Sequence, residues 1–210
     1  MATPTAIYPV RFDVEYASQH KRLSSALRLL WIIPIFIVLS SVSGAASGYD
    51  NEGTRNAAVG AGGTLVLGPL LMILFRQKYP RWWFDWNLAL SRFGARVAAY
   101  GALLRDEYPS TDEEQAVHLE IDYPDAQNDL NRWLPLVKWL LAVPHYIVLV
   151  FLLFGAILAV IGAWFAILFT GSYPRPLFDY VVGVLRWWVR VAAYAVLLVT
   201  DRYPPFRLSA

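Results

Sequence analysis

The sequence contains no cysteine, so disulfide bonds and thiolate metal sites are excluded. Histidine is scarce too. His20, His118 and His145 show no ligand spacing on a common face, and we expect no metal site. Only 16% of the 210 residues are charged, and the formal net charge is +2. No basic run interleaved with aromatic residues follows a phosphate backbone, so we expect no nucleic-acid partner.

Known catalytic motifs are also missing. The sequence has no G-x-S-x-G elbow, no H-E-x-x-H, no Walker loop and no dinucleotide-binding fingerprint. Acidic pairs such as Glu113-Glu114 lie in a polar stretch with nothing to position them. We therefore expect a protein that is not an enzyme, with no catalytic residue and no cofactor.

Apolar and aromatic residues dominate instead. Hydrophobic residues make up 57% of the chain, and the mean hydropathy is +0.42. Soluble domains are closer to half apolar and a quarter charged. The nine Trp and twelve Tyr suit the membrane–water interface, where amphipathic rings collect. The composition predicts an integral membrane protein.

Two stretches of the chain follow one pattern, which predicts an internal duplication. Residues 79–109 read YPRWWFDWNLALSRFGARVAAYGALLRDEYP, and residues 173–204 read YPRPLFDYVVGVLRWWVRVAAYAVLLVTDRYP. Apolar and polar residues also alternate over residues 8–16 and 117–123, ahead of these two stretches, which predicts two short strands at the membrane surface. We expect the strands to pair with each other; the alternative is that each lies flat on its own helices. We expect a first half (residues 8–109), a linker (residues 110–116) and a second half (residues 117–206).

Apolar runs predict two membrane spans in each half. Residues 27–42 and 58–75 flank a polar, Gly-rich loop over residues 44–57. Residues 134–171 would form a helix about 57 Å long. A bilayer core is about 30 Å thick, so we expect a turn near Phe154-Gly155. Flanking basic residues predict cytoplasmic N- and C-termini. The expected fold is an all-α multi-pass protein of the bacterial inner membrane, with two transmembrane hairpins, hence four spans, each followed by an amphipathic interfacial helix, and two surface strands.

The two amphipathic segments carry arginines on one helical stripe. Lying in the interface, they would contact anionic lipid headgroups or partner proteins. Alternatively, the arginines pair with aspartate or backbone and only anchor the helix. In a further alternative both segments span the membrane, giving six spans in two inverted repeats. The candidate contact residues are Arg92, Arg96, Arg186, Arg190, Asp85, Asp179, Trp187 and Trp188.

His145 follows Pro144 inside a predicted span. An ionisable side chain in a membrane indicates a possible polar site. The alternative is a packing kink at Pro144, with His145 bonded to a neighbouring backbone group or tyrosine hydroxyl. The corresponding position in the first half is Ile35.

These motifs resemble a family of bacterial membrane proteins, common in actinobacteria, that is known as a domain of unknown function. The similar stretches are YPVRFDVEY at residues 8–16, VKWLLAVPHYIVL at residues 137–149, WFAILFTGSYPR at residues 164–175, FDYVVGVLRW at residues 178–187 and LLVTDRYPPF at residues 197–206. The resemblance implies a membrane location and a tandem duplication, and it carries no activity.

We therefore expect a non-enzymatic accessory or scaffold subunit. Its partners would be the lipid bilayer and other membrane proteins or a second copy of itself. The alternative is a small transporter or channel with a site at the repeat interface, because internal repeats with proline-broken spans are typical of transporters.

Overall fold

The computed structural model describes residues 8–43, 48–49, 55–56 and 61–209, so the predicted loop at residues 44–57 lies largely outside the described residues. The described strands are β1 Val10–Val14, β2 Gly48–Tyr49, β3 Arg55–Asn56 and β4 Val117–Ile121. The described helices are α1 Arg22–Ser43, α2 Ala61–Arg76, α3 Arg81–Gly101, α4 Pro135–Leu141, α5 Val143–Thr170 and α6 Arg175–Ala195.

The two alternating stretches form β1 and β4, and these strands pair with each other, as predicted. The pairing is antiparallel. Phe12 faces Leu119 at the centre of the register. Because side chains alternate along a strand, one face of this sheet is apolar and buried, and the other is polar and exposed. Strands β2 and β3 form a separate two-residue pair.

The sheet, helix α6 and helix α5 lie in successive layers. Strand β1 runs antiparallel to α6, with Tyr16 on Phe178 and the Phe12 carbonyl at Arg186. The opposite side of α6 packs along α5, where Trp187 meets His145. Helix α6 therefore lies between the sheet and α5.

The strands are exchanged between the two halves, because β1 packs on α6 and β4 packs on α3. Tyr16 donates its hydroxyl hydrogen to the carbonyl oxygen of Tyr173 at 2.6 Å. Tyr123, at the corresponding position after β4, donates to the carbonyl oxygen of Tyr79. Each strand is therefore fixed on the helix of the other half, and the halves interlock.

The prediction of two hairpins with four spans, and its six-span alternative, is wrong. Among the described residues, one helix is long and apolar enough to cross a membrane, Val143–Thr170. The segments Arg22–Arg28 and Leu30–Ser40 of α1 would add at most a second span, and they are bent by 54°.

The predicted turn near Phe154-Gly155 is absent, because α5 is a continuous helix of 28 residues that includes this position. A single glycine inside an apolar run weakens a helix by about 1 kcal/mol and does not end it. Pro144 lies in the first turn of α5, where its missing N–H is tolerated. The fold is not all-α either, since the inner face of the sheet belongs to the buried core.

Helix α5 exposes most of its apolar surface. Only 22% of its most apolar window is buried within the chain, along a narrow stripe that includes Ala156, Ala159 and Ala163. Phe151 is 73% exposed and Phe169 is 78% exposed. A core helix of a soluble protein would bury most of these side chains.

Candidate functional site

The arginines at the centre of the predicted stripes bind the strands. Arg186 donates from Nε to the carbonyl oxygen of Phe12 at 2.8 Å, and Arg92 donates from Nε to that of Leu119 at 3.0 Å. The alternation of ladder bonds leaves Phe12 and Leu119 as a non-hydrogen-bonded pair, whose carbonyl groups point to the outer edges. The two arginines therefore cap equivalent edges of the sheet.

The arginines one turn later bind the segments that follow α3 and α6. Arg96 donates from Nη1 to the carbonyl oxygen of Ser110 at 2.7 Å. Arg190 donates to the carbonyl oxygens of Arg207 at 3.3 Å and Ser209 at 3.0 Å. These bonds hold the predicted linker in the first half and the C-terminal tail (residues 201–209) in the second.

The predicted aspartates do not pair with these arginines. Asp179 forms an exposed ion pair with Arg175 at 3.2 Å. Asp85 is exposed and makes no hydrogen bond or ion pair within the part of the chain that the structure describes. Of the alternatives raised for the stripes, the contacts with backbone are present.

His145 and Trp187 meet in an aromatic cluster. Trp187 donates from Nε1 to Nδ1 of His145 at 3.0 Å, and the His145 ring stacks on Phe206 with centroids 4.0 Å apart. Because Nδ1 accepts, the imidazole is neutral and its proton is on Nε2. Trp188 is outside this cluster and half exposed. The histidine is fully buried, which makes it a packing residue of the α5–α6 contact.

Sequence reasoning missed a buried cation–carboxylate pair in each half. Lys138 is fully buried, with Nζ 2.7 Å from Asp201 and donating to the carbonyl oxygen of Thr200 at 2.8 Å. Arg28 pairs with Asp106 in the same arrangement and is 2% exposed. The available signals were a basic residue near the start of the first apolar run of each half and an acid shortly before the second Tyr-Pro.

The surroundings of these two pairs shift their pKa values. Burial alone raises the pKa of Asp106, but hydrogen bonds from His20, the Lys21 backbone and Arg28 outweigh it and bring that pKa well below its usual range. Burial lowers the pKa of Lys138, and the hydrogen bond to Asp201 offsets part of this effect.

A cavity of about 840 Å³ opens between β1, α6 and the C-terminal tail. Its arginine, carboxylate and histidine lining residues are Arg11, Asp13, His118, Glu120, Arg186, Arg190, Arg202 and Arg207. Burial, followed by the nearby charges of Arg207 and Arg186, lowers the pKa of Arg190. Arginines therefore outnumber carboxylates in the lining of the cavity.

The corresponding part of the first half is acidic. The sequence DRYPPFR of the tail matches DEYPSTD at residues 106–112, so Glu107 replaces Arg202 and Asp112 replaces Arg207. The two segments are held by equivalent arginines but differ in charge. No group of three or more His, Cys, Asp or Glu side chains in the described ranges could hold a metal ion.

Residues 133–207, from just before α4 into the C-terminal tail, match a domain of unknown function (DUF4389). This similarity is consistent with an uncharacterised family. No curated protein and no solved structure matches the chain.

Proposed function

We propose that the chain is a non-enzymatic accessory or scaffold protein of the bacterial cell membrane. It would face lipid with α5 and present the β1–β4 sheet to water and to partner proteins. The observation that carries this proposal is the contrast between two opposite faces. One is the exposed apolar surface of α5, and the other is the charged outer face of the sheet.

The outer face of the sheet is suited to water or to a polar partner. Arg11 pairs with Glu120 and with Asp122, each at 2.9 Å, and His118 lies 3.2 Å from Glu15. These side chains are about half exposed, so the pairs add little to stability. Moving these charged side chains into hydrocarbon would be unfavourable, at about 2.5–3.5 kcal/mol for each charge on insertion scales.

This cost supports a particular orientation in the membrane. Helix α5 lies along α6, with Tyr180 bonded to the Leu152 carbonyl and Trp187 to His145. Because β1 runs along the other side of α6, a helix α5 that crossed the bilayer would carry the charged sheet into it. We therefore propose that α5 lies along the membrane, and that the sheet and both chain ends are cytoplasmic.

We further propose that residues 8–109 and 117–206 are two copies of one unit, joined by residues 110–116. The support is that residues at corresponding positions in the two ranges make equivalent hydrogen bonds to backbone carbonyl groups. The corresponding pairs are Arg92 and Arg186, Arg96 and Arg190, and Tyr16 and Tyr123. The interlocked strands favour two copies that fold together.

Cysteine labelling tests the orientation, since the chain has no native cysteine. Single Cys residues would replace Val143 and Phe169 at the ends of α5, Thr111 in the predicted linker and Ser209 in the tail. With a membrane-impermeant maleimide, we expect no labelling in intact cells and labelling of Thr111→Cys and Ser209→Cys in opened cells. Labelling of Val143→Cys or Phe169→Cys in intact cells would show that α5 crosses the membrane.

Reconstitution tests the scaffold function. In native membranes we expect the chain to migrate in a larger assembly than the purified protein, and we expect the purified protein to give liposomes no solute flux. Reproducible flux from a monomer would favour the transporter alternative. That alternative relied on a polar site at His145, which is buried against Trp187 and Phe206.

A further inference from the structure

We propose that the cavity between β1, α6 and the C-terminal tail binds a phosphate-bearing anion. Five arginines line it, together with the two carboxylates of Asp13 and Glu120. Phosphate is the anion that a cluster of guanidinium groups recognises best, because each planar fork can donate two parallel hydrogen bonds.

Both carboxylates of the cavity are already paired. Asp13 lies 2.9 Å from Nη2 of Arg186, and Glu120 lies 2.9 Å from Nε of Arg11. Neither carboxylate bonds to Arg190 or Arg207 among the described residues. The positive charge of these two arginines is therefore left for a ligand.

Arg190 is the central residue of the proposed site. It is 97% buried by its neighbours, since only 3% of its surface is exposed. Its Nη atoms donate to the uncharged carbonyl groups of Arg207 and Ser209, and its Nε has no partner among the described residues. A buried charge without a counter-ion is costly, and a bound anion would remove that cost.

The cavity is larger than phosphate alone requires. About 840 Å³ is within the usual range for sites that hold whole small molecules. Tyr8 and Tyr203 add aromatic surface to the lining. The site therefore suits a phosphate group that carries an organic substituent, from a lipid headgroup or from a soluble phosphate compound.

The first half offers a matched contrast inside the same chain. Arg96 holds the predicted linker as Arg190 holds the tail, and its Nε is likewise buried without a partner in the described ranges. However, Asp112 lies at the position that corresponds to Arg207. Carboxylates in this segment would repel an anion, so we expect one phosphate site per chain.

Binding would be measured on the full chain in a neutral detergent, in two arms. The first arm is equilibrium dialysis against radiolabelled inorganic phosphate. The second is native mass spectrometry after incubation with equimolar phosphatidylglycerol and phosphatidylcholine, which differ in headgroup charge. Only the lipid arm rests on the proposed membrane function. Because both arms use detergent, a failure here is distinct from a failure of the cysteine labelling.

Arg190→Gln and Arg207→Glu should each weaken binding at least about tenfold, the effect of losing one charge-assisted hydrogen bond. Arg207 is exposed, so its variant should fold even if Arg190→Gln does not. Arg96→Gln is the control for a lost arginine–carbonyl contact. Arg132→Glu, at an exposed arginine outside the cavity, is the control for the charge change.

Phosphate binding that both site variants lose would support the proposal with a soluble ligand. Preferential retention of phosphatidylglycerol, lost in the same variants, would support it with a lipid headgroup. The proposal would be overturned by the absence of binding in both arms. It would equally be overturned if Arg207→Glu left binding intact, or if Arg96→Gln or Arg132→Glu weakened binding as much as the site variants.

Discussion

The two halves of the chain share their strand-to-helix contacts and differ in what surrounds them. Equivalent arginines cap the sheet edges through Phe12 and Leu119 in both halves. By contrast, the segment after α3 is acidic, and the segment after α6 is basic and lines the large cavity. The shared contacts are the ones that interlock the strands. Arg202 and Arg207 of the basic segment border the cavity, so the two halves differ in charge where we propose that a ligand binds.

The backbone turns left-handed at corresponding positions of the two halves. Gln77 has a φ of 46° and Gly171 a φ of 78°. Gln77 precedes a Lys-Tyr-Pro segment, and Gly171 precedes a Ser-Tyr-Pro segment. Leu103 and Leu198 repeat the pattern after α3 and α6, at 62° and 59°. The left-handed turn therefore persists at Gln77 and Gly171, where the residue type differs, and substitutions at these two positions can be compared in one chain.

The largest difference is expected at the buried cation pairs. Asp106→Asn leaves Arg28 buried without its carboxylate, and we expect a loss of about 3–5 kcal/mol in the free energy of unfolding. Asp201→Asn should cost less, because Lys138 can lose its proton whereas an arginine cannot. Thermal unfolding of both variants in detergent at neutral pH would rank them. Equal losses would contradict this difference between the halves.

The pH dependence sharpens the same test. The pKa of Asp106 is lowered in the folded state, so its contribution is present above its ordinary pKa and lost as the pH falls through the folded value. The penalty of Asp106→Asn should therefore shrink in acid. The pKa of Lys138 is lowered by burial, so the penalty of Asp201→Asn should shrink as the pH rises.

Local sequence patterns could predict the strands but not their exchange. Period-two alternation predicts β1 and β4. Their pairing is predicted because a lone strand would leave the backbone N–H and C=O groups at its edges unpaired. Nothing in either strand specifies that Tyr16 reaches Tyr173, 157 positions away. Long-range partners of this kind are set by packing, which the local period does not encode.

The stripe arginines were harder to interpret for a related reason. Arg92 and Arg186 donate to backbone carbonyl groups, and a backbone acceptor leaves no trace in residue identity. For α5, the length of the apolar run predicts two spans if the thickness of the membrane limits the length of a helix. The uninterrupted helix Val143–Thr170 has no proline after its first turn.

The next comparison concerns the aromatic cluster of His145 and Trp187 in the second half. The corresponding residues of the first half are Ile35 and Phe93. His145→Ile should cost about 1–3 kcal/mol, because it leaves the buried Trp187 indole N–H without an acceptor. Adding Trp187→Phe removes that donor, so the double variant should lose less than the sum of the single variants. A double-mutant cycle by thermal unfolding measures this coupling. Strict additivity would mean that the Trp187–His145 bond contributes nothing.

A third comparison uses the edge-capping arginines. Arg186 bonds to Phe12, Asp13 and Leu208. Arg92 is exposed, and within the described ranges its side chain makes one bond, to Leu119. We expect Arg186→Ala to cost about 1.5–3 kcal/mol, and Arg92→Ala about 1 kcal/mol or less. Unfolding midpoints of the two variants in detergent would show the order. A larger loss for Arg92→Ala would mean that the β4 edge depends on its cap more than the β1 edge does.

The smallest effect should appear at the equivalent left-handed turns after α2 and α5. A residue with a Cβ pays a penalty at positive φ that glycine does not, so Gln77→Gly should stabilise the chain by about 0.5–1 kcal/mol. Gly171→Ala should destabilise it by about 1 kcal/mol, since the added Cβ would meet only Arg22 side-chain atoms at 3.5 Å or more and strain would come from the backbone alone. Opposite shifts in the midpoint of thermal unfolding are therefore expected from substitutions at corresponding positions.

If Gln77→Gly were destabilising instead, the Gln77 side chain, which accepts a hydrogen bond from Arg132 at 3.2 Å, would outweigh the backbone strain. Combining Gln77→Gly with Arg132→Ala would then separate the two contributions, because removing the donor leaves the backbone term by itself.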